Sequence, residues 1–117
     1  EDNLDQERKK MGHILETYVF SELLKLISWA HKPYSIYTYR DKDQIEVDFI
    51  IEDNRNRIIG VEVKRSATVR ADDFKGLKKI EKMAEASFLL GIVLYDGNEI
   101  LPIGKKMWAI PISSMGV

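Results

Sequence analysis

From position 35 onward the apolar residues recur mostly every second position, broken by short polar turns. SIYTYR (35–40) alternates aromatic and polar residues. IEVDFIIE (45–52) and IIGVEVKRS (58–66) are dominated by β-branched residues. Each pattern predicts a strand, and RDKDQ and DNRNR predict the turns between them. SFLLGIVLYD (87–96) is almost wholly apolar, as expected of a central strand parallel to a neighbour. NEILPI and MWAIPIS are expected as short peripheral strands, because Pro102 and Pro111 suit sheet edges.

Two segments change period. Over 4–31, Phe20, Leu23, Leu24 and Ile27 form one apolar stripe at helical spacing, while Met11, Ile14, Leu15, Tyr18 and Trp29 lie on the other side. Pro33 ends this helix. A helix apolar on two sides is expected between two packed layers, against a further domain, or in a homo-oligomer. Over 72–86, Phe74, Leu77, Ile80 and Ala84 give a second helix a single buried stripe, with Asp72 or Asp73 as its N-cap. The order α-β-β-β-α-β, followed by short strands, predicts an α/β fold with a mixed central sheet flanked by helices.

A chain of 117 residues suits one domain with one core. It has no apolar run long enough to span a membrane and no signal peptide. Cysteine is absent, which excludes disulfides and thiolate metal sites and fits a cytoplasmic setting. The formal net charge of −1 means that any attraction for nucleic acid must come from a local patch. The chain opens on EDN without a methionine, as expected of a piece of a longer protein.

Three charges interrupt the strands: Asp48 in one, Glu62 and Lys64 in the next. By alternation Glu46, Asp48 and Ile50 share one face of their strand. Glu62, Lys64 and Ser66 share a face of theirs, opposite Val61, Val63 and Arg65. If the strands pair through DNRNR, Asp48 lies beside Glu62. Neighbouring carboxylates repel, and a hard divalent cation such as Mg²⁺ or Mn²⁺ relieves them. Lys64 is then placed to polarise water or to meet developing negative charge. The plainer reading is an exposed face on which these charges are solvated and paired. Glu16 lies on the apolar stripe with Phe20, Leu23 and Ile27. It either needs a partner or a metal there, or reaches past the stripe edge to water.

These residues resemble the PD-(D/E)xK nuclease superfamily: Asp48, a turn, then Glu62-Val63-Lys64, with Val47 where the motif has proline. The segments GHILETYVFSELLK, YTYRDKDQIEVDFIIE, GVEVKRSATVRADDFKGLKKI and GIVLYDGNEILPIGKKMWAIPIS extend the likeness over most of residues 12–113. They resemble the domain of unknown function found at the carboxy-terminal end of many bacterial and archaeal AAA+ ATPases. The resemblance implies a restriction-endonuclease-like αβββαβ core and a Mg²⁺-dependent DNA endonuclease. It implies that Asp48 and Glu62 are metal ligands, with the carbonyl of Val63 completing the shell. Lys64 would position the attacking water, Glu16 would support the metal, and Ser66 would bind phosphate or support Lys64. It also implies an upstream ATPase domain as partner, although no GxxxxGK[ST] loop occurs in this chain. The alternative is a DNA- or protein-binding module that keeps the fold without the activity.

Lys75, Lys78, Lys79 and Lys82 share the helix face opposite Phe74, Leu77 and Ile80, with Arg65 and Arg70 just before them. The set is either a phosphate-binding surface for DNA or simply a solvated lysine face, diluted by Glu81 and Glu85.

Overall fold

The computed structural model describes Gln6 and residues 33–115. Apart from Gln6, the helix expected over 4–31, with Glu16 and Trp29, lies outside the described residues.

Strands β1 (Tyr34–Arg40), β2 (Glu46–Asp53) and β3 (Ile58–Lys64) form an antiparallel meander. Side chains that mimic backbone acceptors close both turns. Asp41 Oδ1 accepts the N–H groups of Asp43 and Ile45, at 2.9 and 3.1 Å. Asp53 Oδ1 accepts those of Arg55 and Arg57, both at 2.9 Å. Gln44 and Asn56 take the left-handed backbone that these tight reversals require, with φ of 65° and 62°.

From β3 the chain turns through a single 3₁₀ turn (Ala71–Phe74) into helix α1 (Lys75–Ala84). It then returns as β4 (Phe88–Tyr95), parallel to β3. β5 (Leu101–Pro102) and β6 (Met107–Pro111) complete a six-stranded mixed sheet in the order β1-β2-β3-β4-β6-β5. The expectation that both late strands are peripheral is corrected for β6, which runs parallel to β4 and lies between it and β5. Pro111 is tolerated there because it is the last residue of the strand, where a missing N–H interrupts no ladder that continues. Pro102 does lie on the edge.

The stripe predicted for the second helix is buried, with Phe74 contributed by the 3₁₀ turn and Leu77 and Ile80 by α1. Phe74 and Leu77 are fully enclosed and Ile80 nearly so, against Ile50, Phe88 and Val93 of the sheet. On the opposite sheet face Phe49, Val61 and Leu94 form a second cluster with Ile51, Val63 and Ile92 around them.

Gly76, in the first turn of α1, is where helix and sheet come closest. A Cβ there would lie 2.6 Å from the carbonyl oxygen of Glu46 and 3.2 Å from Val47. Intrinsic propensity favours Gly76→Ala by about 1 kcal/mol. Forcing a methyl against backbone costs about 1–3 kcal/mol. The variant is therefore expected to be less stable than the parent, read as a lower urea midpoint. A higher midpoint would show that the helix can back away from β2 without cost.

Candidate functional site

The sheet is irregular at Asp48. Between the pairs Tyr37↔Ile50 and Tyr39↔Val47, β1 advances two residues while β2 advances three. Asp48 and Phe49 thus share the single partner Thr38, which is a β-bulge. Bulges bend a strand and re-aim its side chains. This one breaks the expected alternation of Glu46, Asp48 and Ile50. Val47 and Ile50, three residues apart, both join the core beneath α1, while Phe49 packs on the opposite face.

On its other side β2 parts from β3 at the same place. Their Cα pairing runs from Glu52↔Ile58 to Phe49↔Val61 and goes no further, although both strands continue. β3 stays in the sheet through β4, with Lys64 opposite Tyr95. Two carboxylates bridge the parted strands. The N–H of Asp48 donates to Glu62 Oε1 at 2.6 Å, and the N–H of Val63 donates to Asp48 Oδ2 at 2.8 Å. Each acid takes a hydrogen bond from the backbone of the other's strand. Both carboxylates are therefore oriented by charge-assisted bonds rather than left to rotate in solvent.

Beside this crossing lies a cleft of about 410 Å³. Glu62, Val63 and Lys64 line it from β3, Gln44, Ile45 and Glu46 from the entry to β2, and Asp72, Asp73, Lys75 and Gly76 from the start of the helical crossover. The carboxyl end of a strand that leads into a crossover is a common place for a ligand site in α/β sheets. Asp48 lines a neighbouring hollow of about 600 Å³ with Tyr39 and Arg40, and Glu46 borders both.

The Lys64 ammonium donates to Asp73 Oδ2 at 2.6 Å. The same oxygen accepts the N–H of Arg70, also at 2.6 Å, and the Asp73 N–H returns to the Arg70 carbonyl at 3.0 Å. Asp73, expected with Asp72 as a candidate helix N-cap, is instead the third residue of the 3₁₀ turn, and the N-caps are Arg70 for that turn and Phe74 for α1. The role of Asp73 as the partner of Lys64 was missed. No signal in the sequence marks this pairing, since both the partial burial of Lys64 and the return of the crossover to it are tertiary.

Of Ser66, Arg65, Arg70, Lys75, Lys79 and Lys82, the residues expected to meet nucleic acid, Lys75 alone lines the cleft. The Ser66 hydroxyl accepts the Thr68 N–H at 3.2 Å and lies 3.4 Å from the Thr68 hydroxyl, closing a turn after β3. The Lys79 ammonium pairs with Asp41 at 2.5 Å and with Asp43 at 3.2 Å, so its charge is matched within the fold. Arg65, Arg70 and Lys82 are exposed outside the cleft.

The Lys79 pair ties the 41–45 turn, and with it the cleft rim, to α1. The hydrogen bond from Lys79 holds the Asp41 carboxyl at about 2, below its ordinary 3.8, with further bonds from Ile45, Tyr39 and Asp43. A carboxyl whose folded value is depressed stabilises the fold above its unfolded value and ceases to do so as pH falls through the folded one. The contribution of Asp41 should therefore be complete above about pH 4 and vanish toward pH 2. In urea titrations across that window, wild type should lose stability more steeply than Asp41→Asn. Parallel curves would show that the turn is not electrostatically anchored.

Among the described residues no three or more His, Asp or Glu gather into a ready cation site. Asp48 and Glu62 supply hard oxygen donors on adjoining strands, the chemistry that Mg²⁺ or Mn²⁺ accepts when water fills the remaining positions. Glu16, the expected supporting acid, is outside the described residues.

A family model described as Domain of unknown function (DUF4143) matches residues 11–115. The chain belongs to this family. The matched span takes in the bulge, the carboxylate crossing and the whole helical crossover of the DUF4143 domain, as well as Glu16. No curated protein and no solved structure matches the sequence. No helix among the described residues is long and apolar enough to cross a membrane.

Proposed function

We propose that this domain is a divalent-cation-dependent phosphodiesterase that cuts DNA, built on a restriction-endonuclease-like core and serving an upstream AAA+ ATPase in a longer chain. One observation carries the reading. Asp48 and Glu62 cross-bond where β2 and β3 part, Glu62 and Lys64 line one cleft, and Asp48 lines the hollow beside it. The β-meander followed by a helical crossover to a parallel strand supports the core assignment.

The two carboxylates would hold the cation, their geometry set in advance by the backbone N–H groups of Asp48 and Val63. Magnesium or manganese, when bound there, supplies the charge that activates water and neutralises phosphate oxygens. Lys64 contributes a fixed positive charge at the cleft wall, and Lys75 offers a second to the phosphate backbone. In the reaction water adds to phosphorus, the P–O bond to the leaving nucleoside breaks, and a proton passes to the leaving oxygen. The pairing of Lys64 with Asp73 favours a second reading, a binding module for DNA or protein in which this lysine is structural.

The test incubates linear, nicked, branched and single-stranded DNA with the protein in Mg²⁺ or Mn²⁺, alongside Asp48→Ala, and titrates Mn²⁺ by calorimetry. Cation-dependent cleavage that disappears in Asp48→Ala is expected. No cleavage of any substrate, or cleavage unchanged by the substitution, sinks the nuclease reading. Retained DNA binding without Mn²⁺ binding would establish the module instead.

A further inference from the structure

We infer that Asp73 is a positioning residue, which fixes the Lys64 ammonium at the wall of the cleft it shares with Glu62. The inference deepens the phosphodiesterase reading and rests on it for its consequence in catalysis.

Lysine carries its charge on four rotatable carbons, so a lysine at the end of a strand samples many positions unless something holds it. In this fold the holder is itself immobilised. Asp73 Oδ2 accepts both the Lys64 ammonium and the Arg70 N–H, each at 2.6 Å. The Asp73 N–H closes back on the Arg70 carbonyl at 3.0 Å. The next residue, Phe74, is fully buried in the core and pins that turn to the sheet. The side chains of Lys64 and Asp73 are 28% and 21% exposed, so water screens the pair less than it would a surface pair. Lys64 is thus held between the sheet, through its own backbone opposite Tyr95, and the crossover, through Asp73. A group that orients a reacting side chain without touching the substrate typically matters by about 10–100-fold in activity.

Two substitutions separate charge from scaffold. Asp73→Asn keeps an acceptor for the Arg70 N–H, and Asp73→Ser keeps a smaller, neutral hydroxyl at the same position. Both remove the negative charge. The first measurement needs no enzyme activity. The full chain is acylated with a lysine-directed reagent, and the rate at Lys64 is compared by mass spectrometry with that at exposed Lys78. Lys64 should react more slowly than Lys78 in wild type and approach its rate in both variants. The second measurement is cleavage. Asp73→Asn should lower kcat by about 10–100-fold with little change in KM, and add nothing in a Lys64→Ala background. Asp73→Glu should restore part of the loss. Equal Lys64 labelling in wild type and both variants overturns the inference, as does an Asp73→Asn effect that adds fully to Lys64→Ala. If wild type cuts no DNA, the phosphodiesterase reading fails, and the labelling result still decides whether Asp73 holds Lys64.

Discussion

Glu62→Gln is expected to cut cation-dependent cleavage by a factor on the order of 10² or more while leaving the fold intact. The substitution is nearly isosteric. A glutamine oxygen can still accept the Asp48 N–H that now reaches Glu62 Oε1 at 2.6 Å, so the bridge between the parted strands survives. What is lost is one of two negative charges on adjoining strands. A neutral amide binds a hard divalent ion far more weakly than a carboxylate does. Stability should move by less than about 1 kcal/mol, because relief of carboxylate repulsion offsets a weaker hydrogen bond. The measurements are cleavage rate, Mn²⁺ affinity and urea midpoint on the same preparation. A variant that cuts as fast as the parent removes Glu62 from the site. One that unfolds shows that the charge itself is structural.

Phe74→Ala should cost about 3–5 kcal/mol, the range for truncating a fully buried phenylalanine. Phe74 is 0% exposed and sits where the 3₁₀ turn becomes α1, packed in the cluster with Leu77, Phe88 and Val93. Removing the ring leaves a cavity that a turn and a sheet cannot both close, since β4 is fixed by neighbours on either side. A small domain has only about 5–15 kcal/mol of stability in all, so the midpoint of thermal unfolding should fall by roughly 10–20 °C. The urea m-value should stay constant if the unfolded state is unchanged. A loss below about 1 kcal/mol would show that the ring is not what anchors the crossover. Asp73 is the preceding residue, so Lys64 labelling should rise in Phe74→Ala even at temperatures where the protein remains folded.

The strands around Asp48 and Glu62 could be read from the sequence because their determinants are local. β-branched alternation marked 45–52 and 58–66, and the structure has β2 at Glu46–Asp53 and β3 at Ile58–Lys64. The five-residue turn DNRNR sets the hairpin register, and that register puts Asp48 next to Glu62. The helix stripe Phe74, Leu77, Ile80 was equally plain, since side chains three and four apart share a face whatever lies beyond them. The peripheral placement of 107–111 failed for a different reason. Which strand β6 joins depends on β4 and β5, and its proline spoke only for its own missing N–H.

Sequence alone thus determined the elements from residue 34 onward, the buried stripe of α1 and the adjacency of the two carboxylates. Each follows from a period or a turn length within one stretch of chain. Tertiary structure decided the rest of the site. The bulge at Asp48 exists only because β1 pairs with β2 on the far side from β3. Lys64 meets Asp73, and Lys79 meets Asp41, because the crossover folds back over the strand ends. Gly76, a poor helix former by propensity, is required by the Glu46 carbonyl against which the helix rests. Contacts of this kind depend on how separate elements stack, and spacing along the chain carries no record of which charges the stacking will bring together.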